Sequence, residues 1–340
     1  MGALQLNSVK RFRMHSVSVE IRGAAPSGLL EDFDFYTDRP TLHETEEQFA
    51  VVLELVSREP QAGDLPAASA SRSFAEGVLY RHGTTLTYEF GNAVLIVEQH
   101  PRSTFGRLIT TDPVVAAKVG QQFLQGEIAR GLDLAGLHRI NGLGIGLPGG
   151  RGALILLPPG MEKGALALRL LEGGATLLSE LSPLVDRFGR LAPFPLPLHF
   201  SSRQSVPTAW REHLVSERAG ALSLPIAKLP SAYLPRLGDR YRPSFVVVGA
   251  KGGSRAEASF ARLPRWRTGA RLMKDLVAGF GLPGVESGLP DLASLAGLAP
   301  RSASRLTATS ALLARAEGLS MNLSHDLKEN ARALLGRFGI

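Results

Sequence analysis

The chain contains no cysteine, which excludes disulfides, thiolate metal sites and thiol nucleophiles together. It has no window approaching the ~18 apolar residues of a membrane-spanning helix. Its first residues, Met1 to Ser16, carry Lys10, Arg11 and Arg13 but lack the apolar core of a secretory signal. Lys and Arg exceed Asp and Glu by 38 to 31, a net charge of +7. No run of five basic residues occurs, so the excess reads as a scattered basic surface. A Gly-x-Ser-x-Gly nucleophile elbow is also missing, which weakens the case for an α/β-hydrolase. What is present is 340 residues with 44% hydrophobic content, enough for one large or two medium domains, each with its own core. These features lead to the expectation of a cytoplasmic protein with no membrane insertion and no nucleic-acid partner.

Periodicity and turn chemistry divide the chain. Met14 to Ile21 places Val17, Val19 and Ile21 on one side of an extended segment, and Phe49 to Val56 is a short apolar run. Gly77 to Gln99 reads as strands joined by turns, as in an antiparallel meander. Glu59 to Ser73, rich in Pro, Ala, Ser and Gly, reads as a loop. Asp112-Pro113 opens a helix carrying Val119, Phe123 and Ile128, which runs to Gly131. The expected organisation is an N-terminal β-rich region over 1–110 and an α/β core with C-terminal helices over 111–340. Within the core, strands are expected at Arg151–Leu157, Thr176–Ser179 and Ser244–Val248, and helices at Met161–Glu172, Gly269–Gly279 and from Ser302 to Phe338.

The segment most informative for chemistry is Leu137 to Phe200. Ala153-Leu154-Ile155-Leu156-Leu157 runs into Pro158-Pro159-Gly160-Met161-Glu162-Lys163-Gly164-Ala165 and then a helix stopped by Gly173-Gly174. Strand, glycine-containing loop and helix is the context of a phosphate-binding P-loop, G-x-x-x-x-G-K-[ST], in which backbone N–H groups and a lysine hold phosphate and a hydroxyl holds Mg²⁺. Lys163 falls at the lysine position. The two glycine positions are Leu157 and Glu162, and the hydroxyl position is Gly164, so the regular expression itself is not matched. Gly142-Leu143-Gly144-Ile145-Gly146 is not followed by a helix and reads as a glycine-rich strand, not a dinucleotide loop. The other histidines, His199 among them, show no spacing that suggests a metal site.

The order of segments resembles that of HPr kinase/phosphorylase and its relatives in the PEP-carboxykinase type of P-loop proteins. Leu137-His138 stands for a Leu-His motif, the loop follows, Gly174-Ala175-Thr176-Leu177-Leu178-Ser179-Glu180 resembles an acidic motif, and Pro193-Phe194-Pro195-Leu196-Pro197-Leu198 resembles a Pro-rich segment. The likeness continues weakly through Phe245 to Val248 and the final helices, and the N-terminal strands fit the extra region such relatives carry. By this resemblance Lys163, with Gly160 and Gly164 beside it, matches the phosphate-binding loop. Glu180 matches the candidate general base, and His138 the family histidine near the phosphates. The second acidic position is Leu181, and Leu196 stands where an arginine is common.

Those departures have a physical direction. Glu162 is an anion at the start of a helix, which suits the helix dipole but lies where phosphate would sit. Loss of the hydroxyl at Gly164 and the acid at Leu181 removes metal ligands on which phosphoryl transfer relies. Each residue also has a plainer reading: Lys163 as a surface lysine, Glu162 as a first-turn acid, Glu180 and His138 as structural polar groups. The expectation is a degenerate HPr-kinase-like scaffold that binds a protein or peptide partner, with ATP and Mg²⁺ bound weakly or not at all and no separate metal site. An oligomer is compatible with this reading. The alternative is an active ATP-dependent Ser/Thr kinase of a protein, peptide or small molecule.

Overall fold

A computed structural model describes residues 8–26, 28–30, 33–37, 48–66, 70–74, 76–216, 222–251, 257–277 and 292–340. The fold is mixed α/β. It divides into two units, residues 1–135 with 280–298 and residues 136–279 with 299–340.

In the first unit, β1 (Val9–Met14) and β2 (Val17–Arg22) pair antiparallel across His15 and Ser16. The expected single segment from Met14 to Ile21 is therefore a turn plus a strand. Val17, Val19 and Ile21 are buried as the alternation requires, but His15 takes φ 54°, a backbone state this residue type tolerates better than most, and reverses the chain first. After α1 (Asp34–Thr37) come β3 (Phe49–Val56), β4 (Ala70–Phe74), β5 (Gly77–His82), β6 (Thr85–Glu89), β7 (Val94–His100) and β8 (Ser103–Ile109). The sheet order is β1-β2-β3-β8-β7-β6-β5-β4. β4 to β8 form the antiparallel meander, whereas β3 lies parallel to both β2 and β8. Part of the expected loop before Ser73 is thus an edge strand, and residues 67–69 of that loop lie outside the described residues.

Helix α2 (Pro113–Leu134) covers β2, β3 and β8. Asp112 caps it as expected, its Oδ1 accepting from the amides of Val114 at 2.8 Å and Val115 at 3.3 Å. Val119, Phe123 and Ile128 face the core.

One surface pair of this unit gives a direct prediction. The Arg58 guanidinium donates to both Asp64 oxygens, at 2.7 and 2.6 Å. Together with the Gln61 amide it lowers the Asp64 carboxyl from 3.8 to about 2. A depressed carboxylate adds stability above its unfolded value and loses that contribution as pH falls through its folded value, here between 3.8 and about 2. Carboxyl-detected NMR titration is expected to place Asp64 near the lower value and, in an Arg58→Ala variant, to return it most of the way to the upper one.

The second unit contains β9 (Leu137–Arg139), β10 (Leu143–Leu147), β11 (Arg151–Leu156), α3 (Lys163–Glu172), β12 (Thr176–Ser179), β13 (Leu184–Asp186), β14 (Leu191–Ala192) and β15 (Leu198–Phe200). β16 (Val215–Ser216), β17 (Leu222–Leu224), β18 (Arg242–Lys251), β19 (Ser259–Arg262), α4 (Arg265–Val277), α5 (Leu292–Arg315), β20 (Glu317–Leu323) and α6 (Leu327–Phe338) follow. α5 begins in the residues assigned to the first unit and belongs to the second from residue 299.

The main sheet has the order β12-β10-β11-β18-β20-β19. Its middle strands β11, β18 and β20 are parallel, and β11 is a continuous buried run, as strands covered on both faces are. Leu154, Leu156 and Val246 pack with Leu272 of α4 and Ala308, Leu312 and Ala316 in and after α5. By strand alternation Phe245 points to the other face, where its ring meets Phe338 of α6, 5.1 Å between centroids; α6 in turn packs on α3. Two smaller three-stranded sheets flank this core, β14-β13-β9 and β15-β17-β16.

The expected helical stretch from Ser302 to Phe338 is interrupted by β20. Leu319, Met321 and Leu323 are buried at a period of two, and Asp326 then caps α6 through the Lys328 amide at 2.8 Å. α4 starts four residues before the expected Gly269.

Candidate functional site

The loop between β11 and α3 is built from two tight turns. Met161 N–H donates to Pro158 O at 3.4 Å, with Pro159 second in the turn and Gly160 third at φ +80°, the position where a type II turn calls for glycine. Glu162 then takes φ −71°, ψ 75°, and Lys163 N–H donates to Met161 O at 2.9 Å, an inverse γ-turn. The helix therefore starts at Lys163, two residues later than the expected Met161, and the Lys163 amide is engaged inside the loop. The first helical bond is from Leu166 N–H to Glu162 O, 3.0 Å. That leaves the amides of Gly164 and Ala165 without a protein acceptor among the described residues, as the open N-terminus of a helix does.

What faces this terminus comes from β15. A Cβ placed on Gly164 would lie 2.5 Å from His199 O and 3.0 Å from Phe200 Cε1. Glycine is required here by close approach of a neighbouring backbone, in contrast to Gly160, whose Cβ would meet open space. Glu162 does not cap the helix with its side chain. Its carboxylate reaches over to the segment after β15, where it accepts a short bond from the Ser201 hydroxyl and a longer one, 3.4 Å, from the Ser201 amide. The Ser205 hydroxyl lies 3.3 Å from the same carboxylate but closer, 2.8 Å, to Ser202 O.

Glu180 stands at the end of β12, 2% exposed. One of its oxygens accepts the His199 amide at 2.8 Å and lies 3.2 Å from His199 Nδ1. The partly exposed imidazole of His199 is thus oriented by a buried carboxylate, an arrangement suited to moving a proton at the other ring nitrogen. Lys163 Nζ donates to Asn141 Oδ1 at 3.3 Å, so the chain leaving β9 also touches the loop.

β15 gathers these groups: His199 binds Glu180 and lies against Gly164, and Ser201 two residues on holds Glu162. Of the residues singled out in the sequence, Gly160, Glu162, Lys163 and Gly164 share the loop, and Glu180 joins them through His199. His138 is fully buried on β9, its Nε2 2.8 Å from Ser304 Oγ, so that this ring nitrogen faces α5. The pairing of His199 with Glu180, and the contacts of Asn141 and Ser201, are not marked by any motif in the sequence; the nearest signal is the alternation in Leu198-His199-Phe200, which puts the histidine on the opposite side of the strand from two buried side chains.

No protein-family model matches the chain, and no curated protein matches it.

Proposed function

We propose that the second unit is a degenerate kinase core resembling HPr kinase, with ATP bound weakly or not at all, which serves as a scaffold for a protein or peptide partner. The observation that carries this reading is the Glu162 carboxylate bridging the β11–α3 loop to Ser201. It holds a negative charge at the mouth of the loop, close to a helix terminus whose amides would otherwise favour phosphate. Two further features support it. The Lys163 amide is engaged with Met161, and β15 occupies the space that a side-chain hydroxyl at position 164 would need. The donor set suits Mg²⁺ poorly, because Glu180 is engaged with His199 and its neighbour is the apolar Leu181. Octahedral, oxygen-rich coordination needs more than one such carboxylate or hydroxyl.

The second reading, an active kinase, draws on the Glu180 and His199 pair, which could take a proton from an acceptor hydroxyl, with Lys163 on phosphate. Calorimetric titration with Mg-ATP separates the two. The scaffold reading expects no saturable heat at millimolar nucleotide for the native chain and no change on Lys163→Ala. Micromolar, magnesium-dependent binding lost in Lys163→Ala would overturn the scaffold reading and argue for the kinase.

A further inference from the structure

In the second unit, two exposed aromatic rings from separate segments are each bordered by arginines, and both segments are fastened to the same end of α5. Trp266, in the first turn of α4, is 70% exposed, and Phe188, between β13 and β14, is 47% exposed. Both are tied to the end of α5 through consecutive residues: Arg265 donates to Ala314 O at 3.2 Å, and Arg315 makes a short bond to Phe188 O. The support beneath is firm, since Val185 and Leu191 of the hairpin strands share a buried cluster with Leu272 of α4 and Leu312 of α5. Guanidinium groups lie over the rings, with Arg267 5.0 Å from the Trp266 centroid and Arg187 4.7 Å from that of Phe188. The carboxylates nearest in sequence are occupied: Asp186 pairs with Arg190 at 2.7 Å and Glu317 with Arg337 at 2.9 Å.

We propose that this surface binds single-stranded nucleic acid. The named cations are all arginine, whose planar fork grips phosphate in two places and stacks on flat groups, whereas a lipid surface draws on lysine equally well. The two rings are separate side chains bordered by guanidinium, not a continuous apolar patch fit for insertion into a bilayer. Exposed rings and guanidinium planes together are what successive bases stack upon, with phosphates between them neutralised by arginine. The inference stands apart from the reading of the β11–α3 loop, and neither depends on the other.

Fluorescence anisotropy of labelled 20-mers of deoxythymidine and of uridine, titrated with the full chain, tests it. Micromolar or tighter binding is expected for at least one oligomer. If four arginines each meet one phosphate, affinity falls about fiftyfold between about 50 and 200 mM salt. Trp266→Ala is expected to weaken binding about tenfold or more, and Arg267→Glu by at least as much. Both side chains are exposed, and an unchanged circular dichroism melt would show that the fold is kept. Absence of binding to both oligomers at low salt would overturn the proposal, as would binding unaffected by either substitution. Capture by phosphatidylserine vesicles or by a polyglutamate peptide with no binding to either oligomer would overturn it as well.

Discussion

Gly164→Ser is expected to destabilise the second unit by about 3 kcal/mol and to gain no ATP binding. The substitution supplies the hydroxyl that an intact phosphate-binding loop carries, so on motif grounds alone it should repair the site. The geometry gives the opposite sign. A Cβ at position 164 meets the His199 carbonyl at 2.5 Å, and a backbone oxygen fixed in a sheet cannot rotate aside as a flexible side chain can. Either β15 shifts or the start of α3 does, and a β15 shift also loosens the hydrogen bonds of His199 to Glu180. Gly160→Ser in the same loop is the control. Its Cβ meets open space and only its φ of +80° is unfavourable, so its cost is about 1 kcal/mol. Urea unfolding followed by circular dichroism should rank the two in that order.

Glu162→Ala is expected to raise affinity for pyrophosphate or ATP by about threefold to about a hundredfold. A unit charge about 6 Å from a phosphate opposes it by roughly 0.7 kcal/mol in water and about 3 at an effective dielectric of 20, and 1.4 kcal/mol is about tenfold in affinity. Removing the carboxylate also frees the Ser201 hydroxyl and amide, which become donors toward an anion. The loss of that link costs about 1 kcal/mol of stability, small enough for the variant to stay folded. Glu162→Gln separates the contributions, since it removes the charge while keeping an acceptor for Ser201.

The strand, loop and helix around Lys163 were legible in the sequence because each has a local cause. An uninterrupted apolar run makes β11, Pro159 and Gly160 make the turn, and Gly173 ends α3. Asp112 and Pro113 announced α2 in the same way. The late start of α3 was hidden, because an inverse γ-turn at Glu162 has no residue signature of its own. β20 was hidden for a different reason: it lies between two helices, and its short alternation of Leu319, Met321 and Leu323 was absorbed into the helical stretch on either side.

The site itself was legible only in part. Glu162, Lys163 and Glu180 stand out by position, but Glu180 is engaged by His199 of β15, 19 residues on, Glu162 by Ser201 just after that strand, 39 residues on, and Lys163 by Asn141, 22 residues back. Pairings made by tertiary packing leave no periodic trace. The arginines beside Trp266 and Phe188 illustrate the same limit: they come from separate segments, so a search for basic runs along the chain passes over them. Among the described residues no helix is long and apolar enough to cross a membrane, in keeping with the hydropathy of the sequence.

In the proposed scaffold the amides of Gly164 and Ala165 would hold an anion were it not for the Glu162 carboxylate. Amide NMR of chain labelled at glycine and alanine, titrated with pyrophosphate, reads those two groups directly. Unmoved Gly164 and Ala165 signals are expected in the native chain at millimolar pyrophosphate, and saturable shifts of both in Glu162→Ala. Saturable shifts in the native chain, or no shift in the variant, would contradict this role of Glu162.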